Sequence, residues 1–146
     1  MTVNRITRGN ASVGALTVNT DLQVQDDTYI NGHLGVDISV NNIADGASMA
    51  FTAANLLAGI VTATPTTGRT LSAPDAASLI AAVTPLTATG IGFEFVVINL
   101  ASATHALTLG TATGTTIVGS ATIAAASSAT FVARIASSSA VVIYRK

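Results

Sequence analysis

Between Gly46 and Lys146 only six side chains carry charge: Arg69, Asp75, Glu94, Arg134, Arg145 and Lys146. Ala, Thr, Ser, Val and Ile make up most of the rest. Small β-formers alternating with hydroxyl residues give strands that pack closely and surfaces suited to meeting other protein surfaces. Acid–base and metal chemistry both draw on clusters of titratable groups. This stretch holds almost none, so it reads as part of a structural or assembly protein, not an enzyme.

A chain of 146 residues with 49% apolar side chains can bury a core of its own, as one domain with an arm. Much of that apolar half is Ala, and aromatic residues make up only 4%. At roughly 25 cal/mol per Å² of apolar surface, such a core stabilises less than one of Leu and Phe. Oligomerisation is the expected compensation. A net charge of −1 with no basic stripe argues against a nucleic-acid partner. The absence of cysteine excludes a disulfide framework and a thiolate metal site, and suits production in a reducing cytoplasm.

The first residues, MTVNRITRGNASVG, contain no apolar run of the secretory kind. The uncharged stretch 46–64 approaches the roughly 20 residues of a membrane span. Ser48, Asn55 and several Thr interrupt it, Pro65 ends it and no basic cluster flanks it, so no membrane partner is expected.

From 16 to 40 the even positions are apolar or β-branched almost throughout: Leu16, Val18, Thr20, Leu22, Val24, Thr28, Ile30, Leu34, Val36, Ile38 and Val40. The odd positions are mostly polar or small. A period of two predicts half-buried strand, broken by turn signals at Asp26-Asp27 and Asn31-Gly32. Pieces this short need a partner sheet or further copies of the chain to cover their apolar face. Beyond them the sequence predicts a helical turn over 53–58, capped by Thr52 and ended by Gly59, then a strand over 59–64. A turn follows at 65–68. A second helix over 75–83 starts at Pro74 and Asp75, buries Leu79, Ile80 and Val83, and stops at Pro85. After Gly92 the chain turns wholly β, with strands over 93–100, 105–110, 115–118, 121–124, 129–136 and 140–145. Turns recur often enough to favour an antiparallel β-sandwich or jelly-roll-like domain. The run 93–98 is apolar on both faces apart from Glu94, as in a central strand, and Ser127-Ser128 and 137–139 read as turns.

No motif carries chemistry. His33 and His105 lack the spaced partners of a metal site. Asp26-Asp27 suits a solvated turn, and Asp21, Asp37 and Asp45 do not extend it into a calcium loop. Gly90-Ile91-Gly92 and Gly110 to Gly114 do not continue into a phosphate loop. No serine sits in a nucleophile elbow. Asn10-Ala11-Ser12 matches a glycosylation sequon with no secretory segment beside it. Arg5 and Arg8 are the only basic residues of the first 68, in a polar arm suited to ordering on an acidic partner.

The run GRTLSAPDAASLIAAV leads into FEFVVIN, an ALTL-G…G-TIVGSATI segment and the closing strand AVVIYR. In texture and order, 53–146 resembles the β-domains of small tailed-phage virion proteins, above all head decoration (cement) proteins and fibre-associated domains. Separately, GALTVNTDLQVQDDTYINGHLGV resembles the short L-T-V-N β-repeats of phage fibres, which wind three chains around a common axis. Only two or three such units are present, which favours a compact trimeric base or arm over a long fibre.

The resemblance implies a homotrimer seated on the outer capsid surface of the virion, made in the host cytoplasm and bound to the major capsid protein, with no cofactor. It divides the chain into an N-terminal arm over 1–45 and a β-sandwich over 46–146. Thr2, Val3, Asn4, Arg5, Ile6, Thr7, Arg8, Leu16 and Val18 are the expected capsid contacts. Leu22, Val24, Ile30, Leu34 and Val36 are the expected trimer packing residues. The alternative is a fibre or collar domain that binds a host-surface glycan, for which only Tyr29, Tyr144, Phe51, Phe93, Phe95 and Phe131 are available as aromatic platforms, most of the Phe being expected in the core.

Overall fold

The computed structural model describes residues 36–83, 89–102 and 104–146. The chain divides into two compact units, Met1–Gly35 and Val36–Lys146. The strands expected over 16–34, the turns within them, residues 1–35 of the expected arm, His33 and the stop at Pro85 lie outside the described residues, while 36–45 are described and carry β1 of the large sheet.

The described part is mainly β, with strands β1 (Ser39–Ile43), β2 (Met49–Ala50), β3 (Gly59–Ala63), β4 (Arg69–Ser72), β5 (Gly92–Asn99), β6 (Leu107–Gly110), β7 (Thr115–Val118), β8 (Thr122–Ile123), β9 (Ser127–Ser137) and β10 (Ala140–Arg145). Two short helices, α1 (Ala53–Leu57) and α2 (Ala76–Ala82), interrupt them. The strands form a six-stranded sheet, ordered β1-β3-β5-β9-β10-β7, and a four-stranded sheet, ordered β2-β4-β6-β8.

From β1 to β8 the chain changes sheet at every step. Up to β6, two strands that neighbour each other within a sheet are therefore separated by a full excursion through the other one, and they return parallel. Ser39 pairs with Gly59 and Ile60 with Val96 in the large sheet, while Met49 pairs with Leu71 and Arg69 with Leu107 in the small one. This corrects the expectation of antiparallel pairing. Short turn signals suit hairpins equally well, and only the destination of each connection decides between a hairpin and a crossover. Antiparallel pairing enters where the winding ends, β9 lying against β5 and β8 against β6. The β9–β10 hairpin then completes the large sheet.

Each helix begins where a side chain replaces a missing backbone acceptor. The Thr52 backbone N–H donates to Asn55 Oδ1 at 2.9 Å, and Asn55 N–H donates to Thr52 Oγ1 at 3.2 Å, a reciprocal box around the first turn of α1. Gly59 follows this helix with φ +94°, a conformation costly for any residue with a Cβ. Asp75 caps α2, with its Oδ1 accepting from Ser78 N–H at 2.8 Å.

Side chains of both sheets enter one core cluster, among them Leu71, Leu107 and Ile123 from the small sheet and Val61, Val97 and Ile143 from the large one. Phe95 and Phe131 face each other across the β5–β9 ladder, with ring centroids 5.5 Å apart, and Phe51 packs on Phe95 at 5.9 Å. Phe131, Ala133 and Ile135 line the inner face of β9 while Arg134 points outward, as the alternation predicts. Ser127 and Ser128 belong to β9, not to a turn; pairing with Asn99 and Ile98 overrides their turn preference.

Two substitutions test this core. Phe131→Ala removes a ring that is 0% exposed and should cost about 3–5 kcal/mol in denaturant unfolding. Gly114→Ala places a Cβ 2.5 Å from the Ser139 carbonyl oxygen at φ +71°. It should lower the unfolding midpoint, whereas Gly46→Ala, where a Cβ meets nothing within 4 Å, should leave it nearly unchanged.

Candidate functional site

The six-stranded sheet has one face on the core and one face turned outward. Register identifies the outward set. Val40, Ile60, Val96 and Thr130 lie side by side across four strands, and Glu94, Val132, Tyr144 and Val118 form a parallel row. On β1 the inward positions are Asn41 and Ile43, which pair with the buried Val61 and Ala63. Val40 therefore points away from the core, and Val36 and Ile38, which precede β1, are exposed together with Asp37 and Ser39. Val36 is 67%, Ile38 59% and Val40 63% exposed. Alternation alone predicts these side chains to be half-buried; this domain spends its own core on the opposite face of β1.

Of the expected capsid contacts, Thr2, Val3, Asn4, Arg5, Ile6, Thr7, Arg8, Leu16 and Val18 lie outside the described residues. So do Leu22, Val24, Ile30 and Leu34 of the expected trimer set. Val36 is described, and it stands at the start of the exposed stretch 36–40. Ile60 and Val96 complete this corner of the face and were not picked out by sequence reasoning. The available signal was the apolar character of 93–98 on both of its faces, which placed the strand centrally and also marks an outer face free of charge except at Glu94.

Charge on the outer face is sparse and partly self-neutralised. Lys146 Nζ lies 2.6 Å from Glu94 Oε2, and Arg134 is exposed beside them. At the corner itself, the Thr62 hydroxyl donates to Asn42 Oδ1 at 3.2 Å. On the opposite, inward face of β1 the Asn41 side-chain N–H₂ is buried without a hydrogen-bond partner, a defect worth about 1–3 kcal/mol where nothing compensates it.

The remaining polar groups act as ties within the fold. Asn99, fully buried, donates to the carbonyls of His105 at 2.9 Å and Ile123 at 3.1 Å and accepts from Ala101 N–H at 3.1 Å, so one amide joins the end of β5 to both flanking segments. Thr115 donates to the Pro74 carbonyl at 2.9 Å. Asp45 accepts from Arg69 Nε at 2.8 Å and from Thr66 N–H at 3.1 Å, and also from the Thr66 hydroxyl. The Arg69 and Thr66 side-chain hydrogen bonds hold its carboxyl well below the usual carboxylate range. Asp75 is lowered as well, chiefly by the Ser78 N–H.

Among the described residues no three of His, Cys, Asp or Glu gather as metal ligands, and no helix is long and apolar enough to cross a membrane. An open depression beside α2 is lined by Phe51, Pro74, Asp75, Ser78, Ala112 and Thr113, and its single carboxylate already caps the helix. Comparison of the chain with protein families, curated proteins and solved structures finds no match.

The Asp45 clamp has a pH signature. A carboxyl with a folded-state pKa below its ordinary 3.8 binds fewer protons folded than unfolded. Its contribution is present above that ordinary value and is lost as pH falls through the folded one. The melting temperature of the wild type should fall more steeply than that of Asp45→Asn between about pH 5 and pH 2. The two should differ most near neutrality, as read by calorimetry across that range.

Proposed function

We propose that this chain is a structural virion protein, a homotrimeric head decoration protein that binds the outside of a phage capsid and stabilises the shell. The observation that carries the proposal is the exposure of the apolar residues Val36, Ile38 and Val40 on a domain whose charges are few, with Asp45–Arg69 and Glu94–Lys146 paired. A surface of that composition is suited to assembly. Its place at the entry to the β domain, directly after the arm-like sequence 1–35, supports self-association on one side of the chain and attachment on the other.

In this reading residues 2–24 contact the major capsid protein, with Arg5 and Arg8 meeting acidic groups and the alternating segment able to add strand to an exposed edge. Three linked arms convert weak single contacts into tight attachment. A ligand that binds only the assembled shell stabilises that shell by mass action. Tyr144, 38% exposed beside Val132 and Val118 on the outer face, offers the aromatic platform that the alternative function, glycan binding by a fibre or collar domain, requires.

Quantitative mass spectrometry of purified particles distinguishes the two. A copy number in a fixed simple ratio to the major capsid protein is the expected result; a number matching tail components favours the fibre or collar, and absence from the particle overturns both. Deleting 2–24 should abolish binding to empty shells in a co-sedimentation assay while leaving the oligomer mass per chain count unchanged.

A further inference from the structure

We propose that Asp45-Gly46 is a site of spontaneous covalent modification, the isomerisation of aspartate through a cyclic imide, and that Arg69 and Thr66 hold this reaction in check. The site and its chemistry are independent of the function proposed above.

Asp45-Gly46 is the only Asp-Gly step in the sequence. In such a step the backbone nitrogen of the glycine can attack the side-chain carboxyl carbon of the aspartate. Glycine favours the attack because no side chain shields its nitrogen and its backbone turns freely. Here the glycine is open: a Cβ at Gly46 would meet nothing within 4 Å. Its N–H donates to no other described residue. The step lies in the connection between β1 and β2, outside either ladder. The other described aspartates lack these features. Asp37 is followed by the β-branched Ile38, and Asp75 by Ala76 at the start of α2.

The reaction balances with water alone. A bond forms between the Gly46 nitrogen and Asp45 Cγ. The bond from Cγ to the carboxyl hydroxyl breaks, and that hydroxyl leaves with the amide proton as water. Water then opens the imide ring at one carbonyl or the other. One opening restores aspartate. The other gives isoaspartate, whose backbone runs through the former side chain and is one methylene longer, with a carboxylate on a shorter arm.

Against this the structure sets a clamp. Asp45 Oδ1 accepts from Arg69 Nε at 2.8 Å, and Oδ2 accepts from the Thr66 N–H at 3.1 Å and from the Thr66 hydroxyl. Attack makes the planar carboxyl carbon tetrahedral and expels one of its oxygens, so ring closure has to break hydrogen bonds to an ionised group. The departing oxygen also has to carry a proton, and the same donors favour the ionised carboxylate. The longer backbone and shorter arm of isoaspartate do not reproduce this geometry. Each conversion therefore releases the β1–β2 connection from β4.

The test holds the full chain at physiological temperature and neutral pH for weeks. Isoaspartate at position 45 is read by peptide mapping with a protease that cuts before aspartate and spares isoaspartate. A synthetic peptide of residues 41–50 gives the unclamped rate. The wild type should convert more slowly than the peptide. Arg69→Gln and Thr66→Val should each accelerate conversion by about fivefold or more, the factor carried by one ordinary hydrogen bond. Thr66 is exposed, so Thr66→Val carries the comparison should Arg69→Gln fail to fold. Adding Gly46→Ala to Thr66→Val should slow the reaction again, because a methyl group then shields the nitrogen. Gly114→Ala, which weakens the fold elsewhere, should stay near the wild-type rate.

A wild type as fast as the peptide overturns the inference. So does a folded Arg69→Gln or Thr66→Val that is no faster than the wild type. Acceleration by Gly114→Ala equal to that of the clamp variants overturns it too, since general opening of the fold would then set the rate. A peptide that forms no isoaspartate removes the site itself.

Discussion

The fold depends on the packing of two sheets onto one layer of side chains, with Phe95 and Phe131 stacked 5.5 Å apart near its centre. No strand before β9 is joined by a hairpin to a neighbour in its own sheet. Both rings are almost fully buried, and Phe51 extends the contact to the segment before α1. In a core otherwise made mostly of Ala and Leu with some Val and Ile, these rings add large buried apolar area.

Hydrogen bonds do what bulk does not. A small-residue core leaves connections that few large side chains can hold, and buried or clamped polar groups hold them instead. Asn99 ties β5 to the segment before β6 and to the end of β8, Thr115 ties β7 to the start of α2, and Asp45 ties the β1–β2 connection to β4. The bonds to Ile123, Pro74 and Arg69 join residues 24 or more positions apart in the sequence. Such bonds are worth about 1 kcal/mol when made, and their loss inside the protein costs more.

The same economy explains the exposed apolar residues at β1. With one face of β1 committed to the core through Asn41 and Ile43, the other carries Val40, and Val36 and Ile38 just before the strand are exposed as well. Alternation in the sequence announces one apolar face and cannot say whether the cover belongs to the same chain. That depends on which phase of the strand the opposing sheet meets. Here the core takes the odd phase at β1, although the even phase is the more apolar one.

The sequence by itself determined the β class, both helices with their Thr52 and Asp75 starts, the central position of β5 and the inward set of β9. All of these follow from local periodicity and capping, which act over a few residues. Only tertiary structure decided the parallel pairing, the place of Ser127 and Ser128 in a strand and the outward turn of Val40 on β1. Each of those depends on which distant segment a strand lies against, and a run of Val, Thr and Ala is compatible with many such neighbours until packing and register select one.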